Sequence, residues 1–196
     1  MHDKVRATAL MLAALGMRAT AAEMSLGDAP ALPLASKRIL ASAEECAIWN
    51  RERSFAHSVE AHDEKTWASY LHPGVVFNVG PEPNRGIEAV RTIWPGISGG
   101  KNFVLRWRPG IVNLSGDMQA AVSLGPYVFQ VRKNGVERFE VGLYQTVWVR
   151  DQRDGAWRVL FDGEASTAIQ VADRAAADAW VTEQPMSSCD EPSAKP

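Results

Sequence analysis

The feature that most constrains this chain is a succession of four β-rich runs in its second half. Residues 103–112, 120–132, 139–150 and 156–162 are dense in β-branched and aromatic side chains. Turn-forming stretches at 113–117, 133–135 and 151–155 separate them. Within the runs the alternation has a period of two. Phe103, Leu105 and Trp107 share a face while Arg106 and Arg108 point the other way. Tyr127 and Phe129 share a face, as do Tyr144, Thr146 and Trp148. Links this short join neighbouring strands in opposite directions, so the pattern predicts an antiparallel meander. Gly125-Pro126 falls inside the second run and predicts a bulge or bend there.

The first half is helical. Ser42 with Glu45 three residues later is a capping box, so a helix starts there. Ile48, Phe55 and Val59 form its apolar face, with Trp49 and Ala56 beside them; Arg51, Glu52 and Arg53 read as a wetter side. Asp63 caps a second, shorter helix carrying Trp67, Tyr70 and Leu71, which His72-Pro73-Gly74 ends. A short strand follows at 75–79 and a loop at 81–86. Ile87, Val90 and Trp94 line a third helix that stops at Pro95. Helices first and a meander after is an α+β order. The expected architecture is three N-terminal helices packed on a strongly curved antiparallel sheet, a cone around an apolar pocket.

The chain has 196 residues, 46% hydrophobic and 22% charged, which suits one globular domain. The net charge of −2 and scattered Lys and Arg give no basic stripe for a nucleic-acid backbone. No apolar run is long enough to span a bilayer. Residues 1–22 read as a secretory signal peptide: Lys4 and Arg6, an apolar stretch from Ala7 to Met17, then Ala19-Thr20-Ala21 as a small-x-small cleavage site. The alternative is a short N-terminal helix. Export would place the mature chain in the periplasm or outside the cell. Residues 23–41 read as a linker or arm, 44–163 as the domain, and 164–196 as an extension, helical over 169–181 and then disordered. Cys46 and Cys189 are the only cysteines, either one disulfide in an oxidising compartment or two separate thiols.

Several stretches together resemble the nuclear transport factor two-like superfamily, nearest its ketosteroid-isomerase-like and SnoaL-like branches. They are Gly86-Ile87-Glu88-Ala89-Val90, Ser115-Gly116-Asp117, Gly125-Pro126-Tyr127, Gly142-Leu143-Tyr144-Gln145-Thr146-Val147-Trp148, and Asp154-Gly155-Ala156-Trp157-Arg158-Val159 leading to Asp162-Gly163. The resemblance implies a cystatin-like cone, often dimeric, whose members include acid–base enzymes as well as proteins that only bind ligands or partners. Two catalytic positions of ketosteroid isomerases are altered here. The position of the general base falls on Asn78, an amide that takes no proton near neutral pH. The helix that carries the oxyanion-holding tyrosine has no Tyr, and Phe55 lies near that place.

Asp162, late in the last strand, is the candidate acid or base, with Tyr144 or Tyr127 presenting a hydroxyl beside it. The competing reading of Asp162 is a strand-end aspartate holding the next turn. The expected pocket lining is Trp49, Phe55, Phe77, Asn78, Trp107, Tyr127, Phe129 and Trp148. His57 and His62 are five apart and do not share a helix face, so neither a metal nor another cofactor is expected. Gly96-Ile97-Ser98-Gly99-Gly100 matches the serine-hydrolase elbow by letter. However, a helix precedes it, a strand follows, and no His occurs after His72. Three functions remain open: an exported protein binding a small apolar ligand, an acid–base enzyme of isomerase, dehydratase or cyclase type using Asp162, or a homodimeric interaction module.

Overall fold

The computed structural model describes residues 38–39, 41–78, 80–94 and 102–190. The signal-peptide segment and most of the arm lie outside these residues, as do Pro95, the 96–100 motif and the end of the tail. Strand β1 (Arg38–Ile39) precedes helix α1 (Ala43–Glu60). The Ser42 hydroxyl accepts from the Glu45 N–H and the Glu45 carboxylate accepts from the Ser42 N–H, so the box closes as expected. Helix α2 (Glu64–Tyr70) starts on Asp63, whose carboxylate accepts from the Thr66 N–H. Strand β2 (Leu71–Phe77) begins without a break after α2 and includes the His72-Pro73-Gly74 stretch. Strand β3 (Asn84–Arg85) and helix α3 (Ile87–Ile93) follow.

The expected first β-run is two strands, β4 (Phe103–Trp107) and β5 (Ile111–Leu114), both paired to β6 (Ala120–Lys133). Pro109 has no N–H to give a ladder, and the strand bulges there, while the Arg108 and Gly110 N–H groups still donate to the Pro126 and Leu124 carbonyls of β6. The bend expected at Gly125-Pro126 therefore falls on the partner strand. The β6 pairing with β7 (Val136–Arg150) runs through Gly125 and Pro126 without a shift. Gly125 is needed for close approach: a Cβ there would sit 2.2 Å from the Arg108 carbonyl oxygen. Strands β8 (Trp157–Glu164) and β9 (Ile169–Val171) pair with the two halves of β7. Helix α4 (Arg174–Glu183), capped by Asp173, and β10 (Met186–Ser187) complete the order. Residues 169–171, expected at the start of the last helix, are strand instead.

The expected fold needs correcting in three respects. The main sheet is mixed, because β2 runs parallel to β8, with Phe77 opposite Asp162. It is open, following the path β3-β2-β8-β7-β6-β4 with its two ends unpaired to each other, and is not a strongly curled cone. A fourth helix is present. Ala177 of α4 is fully buried against Val128, Phe139 and Val141. Strand alternation puts those three on the face opposite Tyr127 and Phe129, so α4 covers the side of the sheet that α1 does not. Turn chemistry reveals antiparallel neighbours; a parallel pairing across most of the chain leaves no such local mark.

The main core lies between α1–α3 and the sheet. Ile48, Trp49, Phe55, Val59, Trp67, Val90, Trp148 and Val159 meet there. Phe55 touches the rings of Tyr70, Trp94, Trp107 and Trp148 at 5.3–5.9 Å between centroids. Burial of a side chain of this kind contributes roughly 1.5–3 kcal/mol. The two ends of the described chain are fastened together. β1 pairs in parallel with β10, and Cys46 on α1 is bonded to Cys189, their Cα atoms 5.3 Å apart. Among the described residues, no helix is long and apolar enough to cross a membrane.

Candidate functional site

A pocket of about 240 Å³ opens on the helix-side face of the sheet. Phe77 and Asn78 come from the end of β2, Ile93 and Trp94 from the end of α3, and Leu105 and Trp107 from β4. Tyr127 and Phe129 of β6, Glu140 and Tyr144 of β7, and Asp162, Gly163 and Glu164 of β8 complete the wall. Seven candidate residues thus converge on one cavity: Phe77, Asn78, Trp107, Tyr127, Phe129, Tyr144 and Asp162. Trp49, Phe55 and Trp148 do not reach it. They are 2% exposed or less, packed in the core behind the wall.

Asp162 owes its place to register. It lies opposite Thr146 on β7 and Phe77 on β2, and its backbone carbonyl accepts from the Asn78 N–H at 3.0 Å. Asn78 adopts a positive φ of 56°, the left-handed region Asn tolerates, as the chain turns off the strand. The Thr146 hydroxyl donates to Asp162 Oδ2 at 2.6 Å. Among the described residues nothing hydrogen-bonds to Oδ1. Burial raises the Asp162 carboxyl to about 8; the Thr146 bond opposes that rise and the charge of Glu52 adds to it.

Glu52 is the residue that sequence reasoning missed. Its flanking arginines put it on a wet side of α1, yet it is fully buried, with 0% exposure. The indole N–H of Trp107 donates to its Oε1 and that of Trp148 to its Oε2, each at 2.7 Å. Burial raises this carboxyl to about 7 against those hydrogen bonds. Its Oε1 is also 3.5 Å from the Thr146 hydroxyl. The Thr146 contact to Asp162, at 2.6 Å, is much the shorter of the two. Glu52, Thr146 and Asp162 form a short line from the core to the pocket wall. The sequence did carry a mark: residues 48, 52, 55 and 59 form one helical stripe, and Glu52 is the polar member of it.

The two tyrosines are held by different partners. The Tyr144 and Ser123 hydroxyls are 3.1 Å apart in the buried wall, and burial with the nearby Glu52 charge raises Tyr144 well above its ordinary value. The Tyr127 hydroxyl donates to Glu164 Oε1 at 3.0 Å; burial and that carboxylate raise it too. Both are therefore neutral donors or acceptors at physiological pH. Gly142 makes room for Tyr127: a Cβ there would lie 2.7–2.8 Å from the Tyr127 ring and hydroxyl. Among the described residues no three His, Cys, Asp or Glu side chains are grouped to hold a metal.

The sequence matches no family model and no curated protein. The architecture does have counterparts. A nuclear transport factor 2 (NTF2-like) superfamily protein from Salmonella enterica superposes with a TM-score of 0.52 at 20% identity, covering 64% of this chain and 92% of that one. The chain has the NTF2-like fold. Two other structures superpose on it. One is a Novosphingobium aromaticivorans protein named provisionally as a scytalone dehydratase, with TM-score 0.52, 15% identity, and coverage of 71% and 90%. The other is the association domain of C. elegans CaMKII, with TM-score 0.50, 17% identity, and coverage of 63% and 96%. A likeness at this identity fixes the NTF2-like architecture; activity has to be argued from the pocket.

Proposed function

We propose that this chain is a small-molecule-binding protein that holds an apolar ligand in the pocket and grips one polar group of it with Asp162. The observation that carries the reading is the Asp162 carboxyl itself. It lies on an aromatic wall, is raised to about 8 by burial, and among the described residues nothing hydrogen-bonds to its Oδ1. A carboxyl oxygen open to the cavity is placed to hydrogen-bond a polar group of a ligand. The cavity falls below the roughly 300–1,000 Å³ of drug-sized sites, so the ligand is small. Export belongs to the same proposal and is supported by the Cys46–Cys189 disulfide, a bond that persists in oxidising compartments.

The test is a fluorescence titration with benzyl alcohol, read from Trp94 and Trp107 in the wall. Saturable binding is expected, and Leu105→Trp, which fills the pocket, should remove it. Equal binding in that variant would reject the site.

A second reading, acid–base catalysis, is favoured by the Glu52–Thr146–Asp162 line. A carboxyl near neutral pH with a proton-holding neighbour behind it suits transfer to or from a bound carbonyl compound. Asn78 supplies no base, so Asp162 would take both parts. Asp162→Asn should then abolish deuterium exchange next to the carbonyl of a bound ketone while retaining its binding; persistent exchange would remove Asp162 from that role.

The third reading, a homodimer, is supported by a cross-strand row of Val122, Val147 and Phe161 on the face beyond α4, where Val122 and Phe161 are exposed. Sedimentation of Phe161→Glu as monomer and of the parent as dimer would support it; two equal masses would not.

A further inference from the structure

The lining of the pocket is chemically one-sided. Three carboxyl groups, Glu140, Asp162 and Glu164, stand among its residues, and among the described residues no Lys, Arg or His does. The remaining wall is largely aromatic: Phe77, Trp94, Trp107, Tyr127, Phe129 and Tyr144. Behind it Glu52 is a fourth carboxyl, and its hydrogen-bond donors are two indoles and two hydroxyls, none of them a cation. Carboxyl groups beside an apolar wall attract a cation, and a fully buried one such as Glu52 is otherwise kept protonated. Aromatic faces attract the same cations through the ring quadrupole, most strongly where water is excluded.

We infer that the ligand of this pocket is a small organic cation, an amine or quaternary ammonium on a compact apolar body, held between Asp162, Glu164 and the aromatic wall. The inference rests on the small-molecule-binding reading and gives the ligand a charge. Among the described residues two oxygens carry no hydrogen bond and can face it: Asp162 Oδ1, and Glu164 Oε2, since Oε1 of Glu164 accepts from Tyr127. The groups that face Asp162 are Glu52 from α1, Tyr144 and the Thr146 hydroxyl from β7, Asn78 from the end of β2, and Glu164 on its own strand. None of these is positive. An Asp162 that holds its proton to about pH 8 is ionised in only about one molecule in ten at pH 7. A bound ammonium reverses that balance, so binding releases the Asp162 proton to solvent. Affinity rises with pH until the ligand itself loses its charge.

The test uses three probes of one size, benzylamine, benzyl alcohol and benzoate, titrated by calorimetry into the full chain at pH 7. Two buffers of different ionisation enthalpy count the protons. Benzylamine should bind at least about tenfold tighter than benzyl alcohol, or about 1.4 kcal/mol, and release close to one proton. Benzoate should bind worst. In Asp162→Asn the amine preference should collapse and proton release vanish; Glu164→Gln gives an independent reading should the first variant fold poorly. Benzyl alcohol binding as tightly as benzylamine would overturn the cationic ligand while leaving the pocket reading in place. No binding of any of the three would reject the pocket reading and this inference with it.

Discussion

Replacing Glu52 by Gln isolates the buried carboxyl at the centre of the site. The substitution keeps the shape and removes the ionisation. At pH 5 both Glu52 and Asp162 are protonated in the folded protein, and the amide costs stability. One of the two indole N–H groups now faces an NH₂, and an orphaned buried donor costs about 1–3 kcal/mol. Raising the pH changes the comparison. The Glu52 carboxyl titrates near 4.5 in the unfolded chain and at about 7 in the fold. Between those values the folded state binds the proton and the unfolded state does not, so stability falls as the pH rises. Once the pH has passed through the folded value, wild type has lost about 3 kcal/mol from this group. The variant loses nothing from it, and its Asp162, freed from the Glu52 charge, loses less as well. The deficit of Glu52→Gln should therefore shrink from pH 5 to pH 8 and close or reverse. Urea unfolding at half-unit steps measures it. A deficit that stays constant across that range would refute the raised carboxyl. Depressed groups do not intrude. Arg153 holds Asp151 below its ordinary value and Arg158 holds Asp154 at about 2, so the stability they contribute is complete above the ordinary carboxylate range and is lost only as the pH falls through their folded values.

Two other outcomes are expected. Gly142→Ala should cost about 1–3 kcal/mol by overpacking against Tyr127 and weaken benzyl alcohol binding; native stability would show that the close approach is not needed. Replacing Cys46 and Cys189 together by Ser should cost about 4–5 kcal/mol in urea unfolding on the chain-entropy account of so long a loop, and a cost under about 1 kcal/mol would show that the fastening of the two ends adds little.

What the sequence made legible followed local rules. The capping box at Ser42, the Asp63 cap, and the antiparallel succession from β4 to β8 each depend on neighbours close along the chain. What it hid was non-local. Nothing near Leu71 announces a parallel partner at Val159, and nothing near Ala177 announces that α4 covers Val128 from the far side of the sheet. The site divides the same way. Tyr127, Phe129, Tyr144 and Trp107 share a wall because period-two alternation puts them there, and that was readable. Glu52 was not, because a carboxylate between two arginines looks solvated until Trp107 and Trp148 are known to point at it. Trp49, Phe55 and Trp148 show the converse. Large aromatic residues fit a core and a pocket wall equally well, and only tertiary packing assigns them to one.

The most direct measurement is the titration of the Asp162 carboxyl in the ligand-free protein, followed by carboxyl ¹³C NMR and assigned with Asp162→Asn. A midpoint above pH 7, near 8, is expected for an acid held protonated on the pocket wall. A midpoint close to the ordinary 3.8 would contradict it and leave Asp162 an ordinary strand-end carboxylate.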